Sequence, residues 1–112
     1  MTKELALAEI EQELIAARQA GERSNEGMVR VCARRAAGLA IGLWLETQQG
    51  SNKPVDAMSR LKLVQSDDAF PQPIREAARR LTTKVTPEFI SPFSTHPVDD
   101  ATIIINYFLE RT

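Results

Sequence analysis

Residues 36–45 read Ala36-Ala-Gly-Leu-Ala-Ile-Gly-Leu-Trp-Leu45, a run with no charge and no polar side chain. Arg34 and Arg35 bound it on one side and Glu46 on the other. A spanning helix needs roughly 20 such residues, so this segment is too short to cross a membrane. Apolar on every side, it reads instead as a helix surrounded by protein. Gly38 and Gly42 stand four apart, where a neighbouring helix can come close. Each interior Gly costs about 0.5–1 kcal/mol relative to Ala, so close packing is expected to offset that cost. This helix is the expected centre of the fold.

Outward from it, the pattern stays helical. The central helix is predicted from about Glu26 to about Gln49, with Met28, Val31, Cys32 and Leu39 inward and Gly50 after its end. Before it, Leu7, Ile10, Leu14 and Ala17 recur at three- and four-residue steps and predict an amphipathic helix from Thr2 to Ala20. Thr2 suits its N-cap and Gly21 its C′ position; Ser24 or Asn25 suits the cap of the next helix. After it, Pro54 suits a first helical position, and Val55, Met58, Leu61 and Val64 form a stripe as far as Gln65. Pro73 opens a fourth helix with Ile74, Ala77, Ala78, Leu81 and Val85 inward. Pro87, Pro92 and Pro97 make residues 86–97 a loop that Phe89, Ile90 and Phe93 pin to the core. Pro97 starts the last helix, with Asp99 and Asp100 favourable in its first turn and Val98, Ala101, Ile105, Phe108 and Leu109 inward. Thr102-Ile-Ile-Ile105 has high β-propensity, but no second strand exists to pair with it. The expectation is therefore one all-α domain over residues 1–112, an up-down bundle of about five helices.

The composition narrows the functions. Fourteen basic against 15 acidic side chains in 112 residues exclude a surface that is wholly a nucleic-acid footprint. With 43% apolar and 26% charged residues the chain is not of disordered type. One Cys and one His exclude an internal disulfide framework, a multi-Cys zinc site and, within one chain, a metal site with two His ligands. No metal, no cofactor and no catalytic residue is expected. The acidic start lacks the basic region of a signal peptide, and the lone Cys32 suits a reducing compartment, so the cytoplasm is the expected location.

Charge is unevenly placed. Residues 18–35 hold five arginines against Glu22 and Glu26, residues 60–84 hold six bases against three acids, and both ends are acidic. Two accounts compete. The acidic terminal helices pack beside the basic central ones, or Arg30, Arg34, Arg35, Arg79 and Arg80, with His96, form a site for phosphates or an acidic partner. Glu26–Arg30, Asp56–Arg60 and Glu76–Arg80 have the i,i+4 spacing of helix-surface pairs worth about 0.2–0.5 kcal/mol each. Arg34 and Arg35 lack such a partner and are the better candidates. His96, before Pro97, reads first as a capping or solvent-exposed residue. Cys32 reads as a small buried hydrophobe.

Met28-Val-Arg-Val-Cys-Ala-Arg-Arg-Ala-Ala-Gly-Leu-Ala-Ile41, the helix from Pro73 to Val85 and His96-Pro-Val-Asp-Asp-Ala101 together resemble the small helical HEPN-type domains of bacteria. The resemblance covers residues 26–110 and implies a bundle of about five helices that is commonly dimeric. Some such domains are ribonuclease toxins or partners of small nucleotidyltransferases. Their catalytic pattern places an Arg four to six residues before a His, whereas Ile90-Ser-Pro-Phe-Ser-Thr95 before His96 contains no Arg. Ribonuclease activity is therefore not carried over. The expectation is a non-catalytic binding or interaction module, a homodimer using Gly38, Gly42 or the Ile104–Phe108 face, with a further protein partner open. The alternative is a nucleotide- or RNA-acting HEPN-type member of a toxin–antitoxin pair, with His96 and an Arg joined across a dimer.

Overall fold

The computed structural model describes residues 2–84 and 95–112. Among these it contains five helices and no strand: α1 Lys3–Glu22, α2 Glu26–Leu45, α3 Ala57–Ser66, α4 Gln72–Thr82 and α5 Pro97–Leu109. Among the described residues, no helix is long and apolar enough to cross a membrane. The starts follow local chemistry. Thr2 Oγ1 accepts the Leu5 amide at 3.2 Å, Asn25 Oδ1 that of Met28 at 3.2 Å and Asp56 Oδ1 that of Ser59 at 2.8 Å. Each satisfies one of the orphan amides at a helix start. Ser24, the other candidate cap, instead takes a positive φ of 56° in the turn between α1 and α2.

Several boundaries differ from the sequence reading. α2 ends at Leu45, four residues before Gln49. Pro54 lies outside α3, because the Asp56 carboxylate fixes the start at Ala57. Pro73 stands second in α4, behind Gln72, with Pro71 at the N-cap position. The run Thr102-Ile-Ile-Ile105 is helical, as the lack of a pairing strand required. Val85, Phe89, Ile90 and Phe93 lie outside the described residues.

α2 is wrapped by α1, α5, α3 and, more lightly, α4. Its inward face carries Val29, Ala33, Ala36, Ala37, Ala40 and Ile41, all buried. Met28, expected inside, is exposed; Val31 and Leu39 are half-buried; Cys32 is buried. The same substitution of small for large governs α1, where Ala6, Ile10, Ala17 and Ala20 are buried while Leu7 is exposed. Alanines let the two backbones approach, so the larger side chains fall to the flanks.

The glycines serve contacts within the chain. A Cβ on Gly38 would stand 2.7 Å from Ala57 Cβ and 2.8 Å from Ala57 Cα, so only Gly permits α3 to start there. The Arg60 guanidinium lies over Gly42, held by Nε to the Pro54 carbonyl and Nη1 to the Gly38 carbonyl, both at 3.1 Å. Ile104 and Phe108 are fully buried in the same chain. The interface expected at Gly38, Gly42 or Ile104–Phe108 is thus occupied by the chain's own elements. At the far end of α2, Trp44, Phe70, Tyr107 and Phe108 pack edge-on or tilted with centroids 5.0–6.2 Å apart, the preferred geometry for rings.

Candidate functional site

Arg30 and Arg34 project from successive turns of α2 toward the C-terminal end of α4. Arg30 is only 6% exposed. Its Nη2 donates to the carbonyls of Arg80 at 2.6 Å and Thr83 at 2.9 Å, with Leu81 O farther away at 3.5 Å. Arg34 Nε donates to Leu81 O at 2.5 Å. The last carbonyls of a helix have no partner within it, and the dipole makes that end negative. Two guanidiniums thus cap α4 from another helix. Burial, and next the neighbouring Arg34, pulls the Arg30 guanidinium below its ordinary range, and burial does the same to Arg34. Both stay charged, as Arg does in proteins. Among the described residues, the Arg30 Nε has no hydrogen-bond partner.

Arg80 turns the other way, to the start of α5. Its Nε and Nη2 donate to Asp100 Oδ1 at 3.1 and 2.9 Å. Thr95 Oγ1 donates to Asp100 Oδ2 at 3.1 Å. Asp100 is 2% exposed and Arg80 half-buried, so the acid of this pair is buried and held on both oxygens. The hydrogen bond to Asp100 raises the Arg80 guanidinium above its ordinary value. The three i,i+4 pairs form no ion pair among the described residues: Arg30 and Arg60 bond carbonyls, and Arg80 bonds Asp100.

Arg35 and Arg79 are exposed. Arg35 lines a groove with Glu9, Glu13 and Arg60. The six sequence candidates therefore do not converge: Arg30 and Arg34 meet at one helix end, Arg80 at another, and Arg35 belongs to a different groove. His96 caps α5, its Nδ1 accepting the Val98 amide at 3.1 Å. It lines a groove of about 500 Å3 with Arg18, Glu22, Glu26 and Asp99. Three carboxylates against one guanidinium and one imidazole disfavour a phosphate there.

Among the described residues, no group of three or more His, Cys, Asp or Glu side chains is placed to hold a metal ion. Cys32 is buried, and burial followed by the Glu13 carboxylate pushes its thiol up, the opposite of the shift that activates a nucleophilic cysteine. Sequence reasoning missed the Arg80–Asp100 pair, because the two residues are 20 apart and Asp100 alone fits a helix-dipole role. It also missed Arg60; the paired glycines signalled a close neighbour without saying which one. No family model, curated protein or solved structure matches the chain.

Proposed function

We propose that this chain is a non-catalytic helical interaction module that acts as a homodimer through the outer side of α1. The observation that supports it is the one-sided packing of that helix. α1 rests on α2 and has no other substantial neighbour among the described helices. Leu7, Glu11, Leu14 and Arg18 follow at steps of four, three and four, the spacing of a helix–helix seam. Leu7 and Ile15, beside it, are exposed. In an antiparallel two-fold pair, Glu11 of one copy meets Arg18 of the other twice, with Leu14 against Ile15 between them. A two-fold contact is isologous, so one patch serves both copies. The lone buried thiol suits a reducing compartment, and this reading places the module in the cytoplasm.

Light scattering tests it. The expected mass is about twice 12.5 kDa. Ile15→Asp and Glu11→Arg should each give monomer, and Glu11→Arg with Arg18→Glu should restore the dimer. Wild type that stays monomeric from micromolar to millimolar concentration overturns the dimer. RNA cleavage without metal that vanishes in His96→Ala would replace this reading with the HEPN-type alternative.

A further inference from the structure

A groove of about 220 Å3 opens where α1, α2 and the start of α3 meet. Glu9 and Glu13 reach it from α1, Arg35 from α2 and Arg60 from α3. Gly38, Leu39 and Ala57 give it an apolar lining. Val55, 83% exposed and the most exposed large apolar side chain described, stands at it as well. We infer that this groove binds a small aliphatic zwitterion, an amino-acid-like molecule with one ammonium and one carboxylate.

The charges carry the argument. Glu9 and Glu13 are one helical turn apart, and like charges at that spacing repel, so a cation between them is favoured. No ion pair joins either of them to Arg35 among the described residues, although all three line the same groove. Arg60 is already fixed by the Pro54 and Gly38 carbonyls, so little ordering is required when an anion arrives. Arg35 is exposed and supplies the second donor to a carboxylate. A phosphate would meet the two glutamates, and a simple amine would bring no anion to either guanidinium; a zwitterion answers both signs. Size agrees. Drug-sized ligands occupy pockets of about 300–1,000 Å3, and this one is smaller. It holds about seven waters' share of volume, the scale of an aliphatic amino acid. Gly38, Leu39, Ala57 and Val55 suit an aliphatic side chain.

This site is separate from the proposed dimer contact, because Glu9 and Glu13 lie on the opposite side of α1 from Glu11 and Ile15. The test is a titration of the full chain with leucine, followed by amide chemical shifts. Saturable shifts are expected at Leu39, Val55 and Ala57. N-acetylleucine lacks the ammonium and leucine methyl ester the carboxylate, and each should bind roughly tenfold more weakly. Arg35→Ala and Glu9→Gln, both at exposed positions, should weaken leucine to a similar degree while the melting temperature holds. Absence of saturation at tens of millimolar, or equal binding of the blocked analogues, overturns the site. So does undiminished binding by both variants. The dimer, read by light scattering in the same samples, stands or falls independently.

Discussion

A guanidinium inside a helical bundle must find oxygens, and Arg30 finds them at the carbonyl end of α4. Replacing it with Met keeps the stem and removes the donors, leaving the Arg80 and Thr83 carbonyls without that partner. The expected loss is about 1–3 kcal/mol in urea unfolding. Arg35→Ala, five residues along the same helix but exposed, should stay within about 0.5 kcal/mol. Equal effects would refute the assignment of Arg30 as a cap. The Arg80–Asp100 pair behaves differently, since removing one partner strands the other. Arg80→Met, which strands the buried Asp100, is expected to cost about 3–5 kcal/mol, Asp100→Ala less because the half-buried Arg80 turns to water, and replacing both residues with apolar ones least. A double-mutant cycle measures this. Asp56 gives a pH dependence of definite sign. Its carboxylate caps α3, and the Ser59 amide and hydroxyl hold its pKa below the ordinary value of 3.8. Its contribution is therefore present above the unfolded value and is lost as pH falls through the folded one. Asp56→Asn, which still caps but does not titrate, should flatten stability in that acid range.

At the scale of elements, what could be read in the sequence depended on which signal was used. Proline positions, the apolar run at 36–45 and the absence of any strand to pair with Thr102–Ile105 led to five helices in the order observed. The inward faces were harder to read. Large apolar residues such as Met28 and Leu7 mark a stripe, but α1 and α2 meet through alanines, and a pattern of hydrophobicity does not separate near contact from flank. The glycines pointed to a close approach that exists, yet α3 supplies it rather than a second copy. Gly38 and Gly42 should accordingly differ. Gly38→Ala drives its Cβ into the Ala57 backbone, so α3 must shift; overpacking of this kind costs about 1–3 kcal/mol. Gly42→Ala meets only the end of Arg60, which moves aside without any backbone shift but gives up its bonds to the Pro54 and Gly38 carbonyls, and the helix gain of about 0.5–1 kcal/mol offsets much of that loss. Thermal unfolding should rank wild type and Gly42→Ala close together and Gly38→Ala well below. The reverse order would mean that α3 does not dock on Gly38.

Over the whole molecule, the basic middle and acidic ends were legible, but the destination of each charge was not. Separation in sequence hides a pair such as Arg80–Asp100, and backbone carbonyls carry no residue identity to be read at all. That bears on any affinity for nucleic acid. Arg30 and Arg34 donate to carbonyls and Arg80 to Asp100, so of the five arginines the sequence offers as a phosphate site, Arg30, Arg34, Arg35, Arg79 and Arg80, only Arg35 and Arg79 are exposed. Each phosphate contact to a single strand contributes about 0.7 to the logarithmic salt slope. These two exposed arginines together therefore contribute at most about 1.4. The difference in slope between wild type and Arg35→Ala with Arg79→Ala, measured by anisotropy on a short single-stranded RNA, should not exceed that bound. Arg34→Ala should lower the melting temperature through loss of its bond to Leu81 and leave the slope unchanged. A slope that drops by a full contact in Arg34→Ala, at unchanged stability, would show that Arg34 touches phosphate and that the α4 cap is not its role.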